Sequence, residues 1–218
     1  MVVFREDYGK CINLLNYNIK VTKMDCYDEN NNLIPYNIWE KQEQLDANEF
    51  VKEDDVVLEL GARWGGVSCV INKKLKNKEN HVAVEPDEIV WDSLEKNRDR
   101  HDCKFKILKG TISKKPLKID KSDKRWNGLA TFTKGTNHKN SNIIIHSIPD
   151  MSFNVLIADC EGFLETFYDE NKEFFKTLRL IMFEKDRENE CDYNYLIKEF
   201  NKLGFKEIKS GFHSVFIN

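Results

Sequence analysis

The sequence predicts an α/β fold: a seven-stranded, mostly parallel sheet with helices on both faces and an antiparallel terminal hairpin. Three observations predict it. From residue 55 onward, short β-branched apolar runs alternate with helical patterns, the signature of a parallel sheet crossed over by helices. The last two runs are separated by only a few residues, including Gly211, too few for the crossover of about a dozen residues that a parallel pair requires. The 218 residues are 40% hydrophobic and 11% aromatic, enough for one domain with a sizeable core.

Each element follows in order. Val56-Val57-Leu58-Glu59-Leu60 is the first strand, with a helix over 65–75. His81-Val82-Ala83-Val84-Glu85 is the second, followed by a helix over 89–98. Phe105-Lys106-Ile107-Leu108 is the third and Val155-Leu156-Ile157-Ala158-Asp159 the fourth, leading into an amphipathic stretch with Phe163, Leu164, Phe167, Phe174 and Phe175. Leu180-Ile181-Met182-Phe183 is the fifth, and 193–203 a further helix. Phe205-Lys206-Glu207-Ile208 and Ser214-Val215-Phe216-Ile217 form the hairpin. Residues 1–50 fall outside this alternation and read as an extension or cap, a hairpin (19–26 with 33–36 across Asn30-Asn31-Asn32) plus a helix over 38–50. The main domain is 51–218, with a polar insertion at about 113–153 where acceptor-binding loops are expected.

Charge and cysteines narrow the function. With 34 Lys+Arg against 37 Asp+Glu the net charge is −3, which argues against a broad basic face and against nucleic acid as the partner. No apolar run approaches the ~20 residues of a membrane span, and Met1-Val2-Val3-Phe4-Arg5 does not open a signal peptide. Six scattered cysteines (Cys11, Cys26, Cys69, Cys103, Cys160, Cys191) show no metal-site spacing, so free thiols in a reducing, cytoplasmic compartment are expected.

Three motifs carry chemistry. Glu59-Leu60-Gly61-Ala62-Arg63-Trp64-Gly65-Gly66 is a glycine-rich turn from strand to helix, where a ligand can approach bare backbone. A dinucleotide site wants glycine two positions after Gly61, but Arg63 stands there, and Glu59 brings a carboxylate unsuited to a pyrophosphate. S-adenosylmethionine has an ammonium and a sulfonium but no phosphate, so it suits that turn better; a tight turn serving only helix packing is the bland alternative. Glu85, closing strand two, is placed to accept the hydroxyl hydrogens of a ribose. Asp159-Cys160-Glu161-Gly162 closes strand four, where ligands sit in open α/β sheets if strands one and four flank the reversal of strand order. With Glu184 it forms an acidic group that could orient or deprotonate a hydroxyl, or hold a divalent cation through Asp159, Glu161 and Glu184; helix capping and pairing are the alternative for Glu161.

Taken together, Val57-Leu58-Glu59-Leu60-Gly61-Ala62-Arg63-Trp64-Gly65, Val84-Glu85-Pro86, Asp159-Cys160-Glu161-Gly162 and Phe183-Glu184 resemble the FkbM family of S-adenosylmethionine-dependent methyltransferases over residues 50–218. The resemblance implies a class I methyltransferase (Rossmann-like) fold and O-methylation of a sugar hydroxyl on a glycan or glycoconjugate. It implies cofactor contacts from Glu59, Gly61, Ala62, Arg63, Trp64, Gly65, Glu85, Pro86, Thr111, Ile112 and Asp159, and S-adenosylhomocysteine as product. Asp159, Glu161, Glu184 and His213 are the candidate catalytic residues, with His146 a further base. Arg63-Trp64 and Cys160 depart from the family pattern. RNA ribose 2′-O-methylation, suggested by Lys185 after strand five, is the alternative activity, and a non-catalytic binding module the alternative class. His81 and His101 read as surface residues, Trp39, Trp91 and Trp126 as packing residues, the last also as a sugar-stacking candidate.

Overall fold

The computed structural model describes residues 24–35, 40–115, 117, 119–120, 131–132 and 143–218. The expectations at 19–23, 36–39, Cys11 and Trp126 lie outside these residues.

The described chain opens with a hairpin, β1 (Cys26–Tyr27) and β2 (Leu33–Ile34), then helix α1 (Lys41–Phe50). The alternation follows: β3 (Val57–Leu60), α2 (Gly66–Lys74), β4 (His81–Glu85), α3 (Trp91–Arg100) and β5 (Lys106–Lys109). Four short strands come next, β6 (Thr111–Ile112), β7 (Ile119–Asp120), β8 (Thr131–Phe132) and β9 (Ile145–His146). The chain then returns through β10 (Val155–Ala158), α4 (Leu164–Glu170), α5 (Lys172–Phe175), β11 (Leu180–Glu184), α6 (Tyr193–Lys202), β12 (Lys206–Lys209) and β13 (His213–Ile217).

Seven of these strands form one sheet in the order β12-β13-β11-β10-β3-β4-β5. It is parallel except for β13, which inserts between β11 and β12 and runs antiparallel to both. The expected terminal hairpin is therefore present. The chain builds from β3 out to β5, then lays β10 on the other side of β3, so the order reverses between β3 and β10. Ligand crevices open at such a point, beyond the carboxyl ends of the strands.

Two cores explain why the strands read as continuous apolar runs. Leu58, Leu60, Val82, Val84, Leu156, Ala158, Ile181 and Phe183 face α4, α5 and α6, while Val57, Ala83, Val155, Ile157, Leu180 and Met182 face the other way, with buried residues of α1, α2 and α3. Each such side chain contributes ~1.5–3 kcal/mol by leaving water. Aromatic rings dominate the first layer: Phe183 stacks on Tyr193 and on Phe216, both at 5.7 Å, and Phe175 on Phe200 at 5.6 Å. Met24, Cys26, Ile34, Ala47 and Val51 join the second core, so the described part of the first 50 residues packs directly on the sheet domain.

One histidine departs from expectation. His81 is wholly buried, not at the surface, because Glu59 on the neighbouring strand bonds its Nε2 at 2.9 Å. Among the described residues Cys26, Cys69, Cys103, Cys160 and Cys191 are free thiols, and no helix is long and apolar enough to cross a membrane.

Candidate functional site

The turn after β3 is built around two glycines. Gly61 has φ +89°, and a Cβ there would lie 1.7 Å from the Asp159 carbonyl oxygen, so only glycine lets this turn pass the backbone leaving β10. Gly65, at φ +85°, opens α2 against Leu94. Between them Arg63 adopts φ +45°, held by its N–H donating to Glu85 Oε2 at 2.6 Å. Its guanidinium lies 3.4 Å from Asp87 and 4.6 Å from the centre of the Trp64 ring. The Trp64 indole N–H donates to Glu29 (2.9 Å), which ties it to the β1–β2 hairpin.

Glu85 ends β4 and is buried. Its carboxylate accepts N–H bonds from Arg63 and from Asp87 (2.7 Å) across Pro86. Burial pushes it up to about 7, against the pull of those two N–H groups. Each oxygen keeps a lone pair beyond the one in use, as ribose recognition requires. Thr111 and Ile112 lie in β6, paired with β9 and buried, and a Cβ on the preceding Gly110 would come within 2.2 Å of the Ile144 carbonyl oxygen. His146 is engaged with the Lys109 carbonyl at 2.9 Å, a structural contact.

Glu59 does not stand beside the turn as a free carboxylate. It is buried and bound to His81, the first residue of β4, which faces Val57 in the register. Its part is to pair a buried imidazole.

Beyond β10 and β11 the carboxylates gather. Burial and the charges of Glu43, Glu184, Asp186 and Glu40 hold the Asp159 carboxyl well above the usual range. Glu184, the last residue of β11, is pushed up to about 8 by burial and by Asp186, Glu161 and Glu40. Asp186 rises to about 6, mainly by burial, although Tyr193 (2.6 Å) and the Gly162 N–H (2.8 Å) donate to it. Glu43 enters from α1 and is likewise raised by burial, then by Glu40, Glu184, Glu59 and Asp46. His213, opposite Glu184 in the β11–β13 register, is lowered by burial, with Asp46 opposing and Lys209 assisting. Such a cluster of buried acids suits a cation.

Glu161 does not join them. At φ +52° it accepts from Arg187 Nε at 2.6 Å, and that guanidinium also lies 3.7 Å from Glu190. The trio Asp159, Glu161 and Glu184 is thus not assembled as a set of metal ligands. Among the described residues the three groups whose ligand atoms come within 4.8 Å of one another are Glu43, Glu184 and His213. Lys185 is occupied by Glu207 at 3.6 Å.

The sequence reading missed Glu43 and Asp186. Helix α1 buries Glu43, Gln44, Asp46 and Ala47 while Leu45 stays half-exposed, the reverse of an ordinary amphipathic helix. The one signal available was three acids at spacing three (Glu40, Glu43, Asp46), which usually marks a solvated face.

No family model matches the sequence, and no curated protein matches it. Solved structures do. A precorrin-6y methyltransferase from Geobacter metallireducens has a TM-score of 0.50 at 10% identity, covering 83% of this chain and 91% of its own. A methyltransferase from Pyrococcus furiosus scores 0.48 at 18% identity, covering 81% of each chain. A dimethyladenosine transferase from Plasmodium falciparum scores 0.42 at 14% identity, covering 66% of this chain and 40% of its own. The likeness is one of architecture, and with the strand order above it establishes that this chain has the class I methyltransferase fold.

Proposed function

We propose that this chain is an S-adenosylmethionine-dependent O-methyltransferase of FkbM type that methylates a hydroxyl of a saccharide or glycoconjugate. The observation that carries the reading is the group of buried carboxylates at the switch point, beside a turn that only Gly61 can make.

The residues fit the cofactor. Glu85 offers free lone pairs at the strand end for ribose hydroxyls, and the acids beyond β10 and β11 offer negative charge for an ammonium and a sulfonium. When bound, S-adenosylmethionine supplies a methyl carbon already activated by positive sulfur. The chain's own task is to align the acceptor oxygen, which can supply ~7–11 kcal/mol of barrier reduction. Asp159 has no side-chain hydrogen bond among the described residues and is the base for the hydroxyl proton, with burial raising its proton affinity. The same acids repel a phosphodiester backbone, and Lys185, which suggested RNA, is already paired. These features favour a sugar acceptor over RNA.

The test is incubation of the full chain with S-adenosylmethionine and a panel of oligosaccharides and RNA oligonucleotides, read by mass spectrometry for one added methyl group. A methylated saccharide supports the proposal. Methylation of RNA alone transfers it to the ribose alternative, and cofactor binding without any transfer points to a binding module.

A further inference from the structure

We infer that Glu43, Glu184 and His213 form a binding site for one first-row transition divalent cation of the Mn²⁺, Fe²⁺ or Zn²⁺ kind. The three come from α1, β11 and β13, elements distant in sequence that the fold brings together at the carboxyl ends of the parallel strands.

Distances favour a shared ion over direct bonding. His213 Nδ1 lies 3.9 Å from Glu184 Oε2 and 4.0 Å from Glu43 Oε1. Both exceed a hydrogen bond and lie a few tenths of an ångström beyond the ~3.4 Å between tetrahedral ligands bound at ~2.1 Å, a gap that a small side-chain shift onto an ion would close.

A second observation points the same way. His213 Nδ1 is shut off from solvent and has no hydrogen-bond partner. The Glu43 side chain is 6% exposed, and its Oε1 lies 4.0 Å from that nitrogen. Buried polar atoms in folded chains are normally satisfied. Helix α1 obeys that rule three residues later, where equally buried Asp46 takes Lys209 and Gln42. At Glu43 the basic side chain within ion-pair range among the described residues is His213, which faces Glu184 as well.

Donor chemistry selects the ion class. One imidazole with two carboxylates suits Mn²⁺, Fe²⁺ or Zn²⁺ better than Mg²⁺ or Ca²⁺, which prefer oxygen alone. Glu184 and His213 each keep 19% exposure, so one side stays open to a further ligand. The role of such an ion, holding the acceptor hydroxyl beside Asp159, rests on the proposed methyl transfer; the existence of the site does not.

The experiment is titration of the metal-stripped full chain with Mn²⁺, followed by the free-ion paramagnetic resonance signal and by calorimetry, with Mg²⁺ and Ca²⁺ alongside and with or without S-adenosylhomocysteine. One Mn²⁺ per chain is expected, with Mg²⁺ and Ca²⁺ at least ~10-fold weaker. Bound Mn²⁺ in the wild type should show nitrogen coupling from an imidazole, a readout that needs no variant. Glu43→Gln and His213→Gln, checked for fold by circular dichroism, should each weaken binding by at least ~10-fold. The inference is overturned by the absence of saturable Mn²⁺ binding, by bound Mn²⁺ without nitrogen coupling, or by one-for-one release of Mn²⁺ by S-adenosylhomocysteine, which would make these acids the seat of the cofactor's ammonium. Mn²⁺ binding as described without any affinity for S-adenosylhomocysteine would leave the site standing and remove the methyl-transfer reading.

Discussion

Asp55 precedes β3 and Asp159 follows β10, so two aspartates mark opposite edges of one sheet. Asp55 is 2% exposed, and every direction around it is filled. It accepts the Lys52 N–H at 2.7 Å, the Asn154 amide at 3.0 Å and Arg179 Nε at 2.8 Å, with the second Arg179 nitrogen close by. Asn154 in turn receives the Val56 N–H at 2.8 Å, so the residues leading into β3, β10 and β11 are bolted together. Asp159 has no comparable partner, and the charges around it, Glu43, Glu184, Asp186 and Glu40, share its sign. A buried carboxylate costs several kcal/mol unless paired. The fold sets a guanidinium against Asp55 and none, among the described residues, against Asp159, although at that same end Arg187 pairs with Glu161 and Arg63 lies beside Asp87. That difference separates structural acids from acids kept for use.

The comparison can be broken most forcefully at Asp55. Asp55→Ala leaves the half-buried Arg179 without its counter-charge and the Lys52 N–H and Asn154 amide without their acceptor, and urea unfolding should show a loss of ~2–4 kcal/mol. A loss below ~1 kcal/mol would remove the contrast between the edges.

A second test uses pH. Burial raises Glu85 from 4.5 to about 7, so the folded chain holds that proton more tightly than the unfolded one. The resulting stabilisation is complete below about 4.5 and lost as pH climbs through about 7, on the order of 3 kcal/mol. Glu184 extends the decline to about 8. In ligand-free, metal-free buffer the thermal midpoint should therefore be higher near pH 5 than at pH 8.5. A midpoint that rises across that range would contradict the account.

Asp159→Asn sharpens the same contrast from the other side. It removes the base and one of the mutually repelling charges, so methyl transfer should fall by ~10²-fold or more while stability holds or improves. Kinetics together with urea unfolding separate the two effects. The smallest effect is expected at Glu85→Gln, where an amide keeps one acceptor but loses the charge. S-adenosylhomocysteine affinity should drop ~10-fold by calorimetry, about 1.4 kcal/mol. Glu85→Ala is the blunter variant, since it also frees the N–H groups of Arg63 and Asp87 and should cost ~1–3 kcal/mol of fold stability.

The sheet was legible because strands covered on both faces must be apolar throughout, and a charged residue ending such a run, Glu85, Asp159 or Glu184, announces the strand's carboxyl end. The switch point stood only as a condition, because the order of runs along the chain does not fix the order of strands in the sheet; the pairing of β10 with β3 supplies it. Pairing across the fold was not legible. Glu161 meets Arg187 across 26 positions and Glu59 meets His81 across 22, so neither bond leaves a local pattern. Glu43 was hidden for a related reason: a helix reading Lys41-Gln42-Glu43-Gln44-Leu45-Asp46 looks solvated, and the partners of its inward polar face, Lys209 for Asp46 and His213 for Glu43, lie more than 160 positions along the chain.

Whether the acidic edge exists for a cationic cofactor is tested most directly by calorimetric titration of the wild-type chain with S-adenosylmethionine at pH 6.0 and pH 8.5, with NAD as comparator. Ionisation of Glu85 across that interval strengthens its hydrogen bonds from the ribose hydroxyls. The account predicts one S-adenosylmethionine per chain, bound more tightly at pH 8.5 than at pH 6.0 and more tightly than NAD at both. Absence of S-adenosylmethionine binding, or tighter binding of NAD, would contradict it.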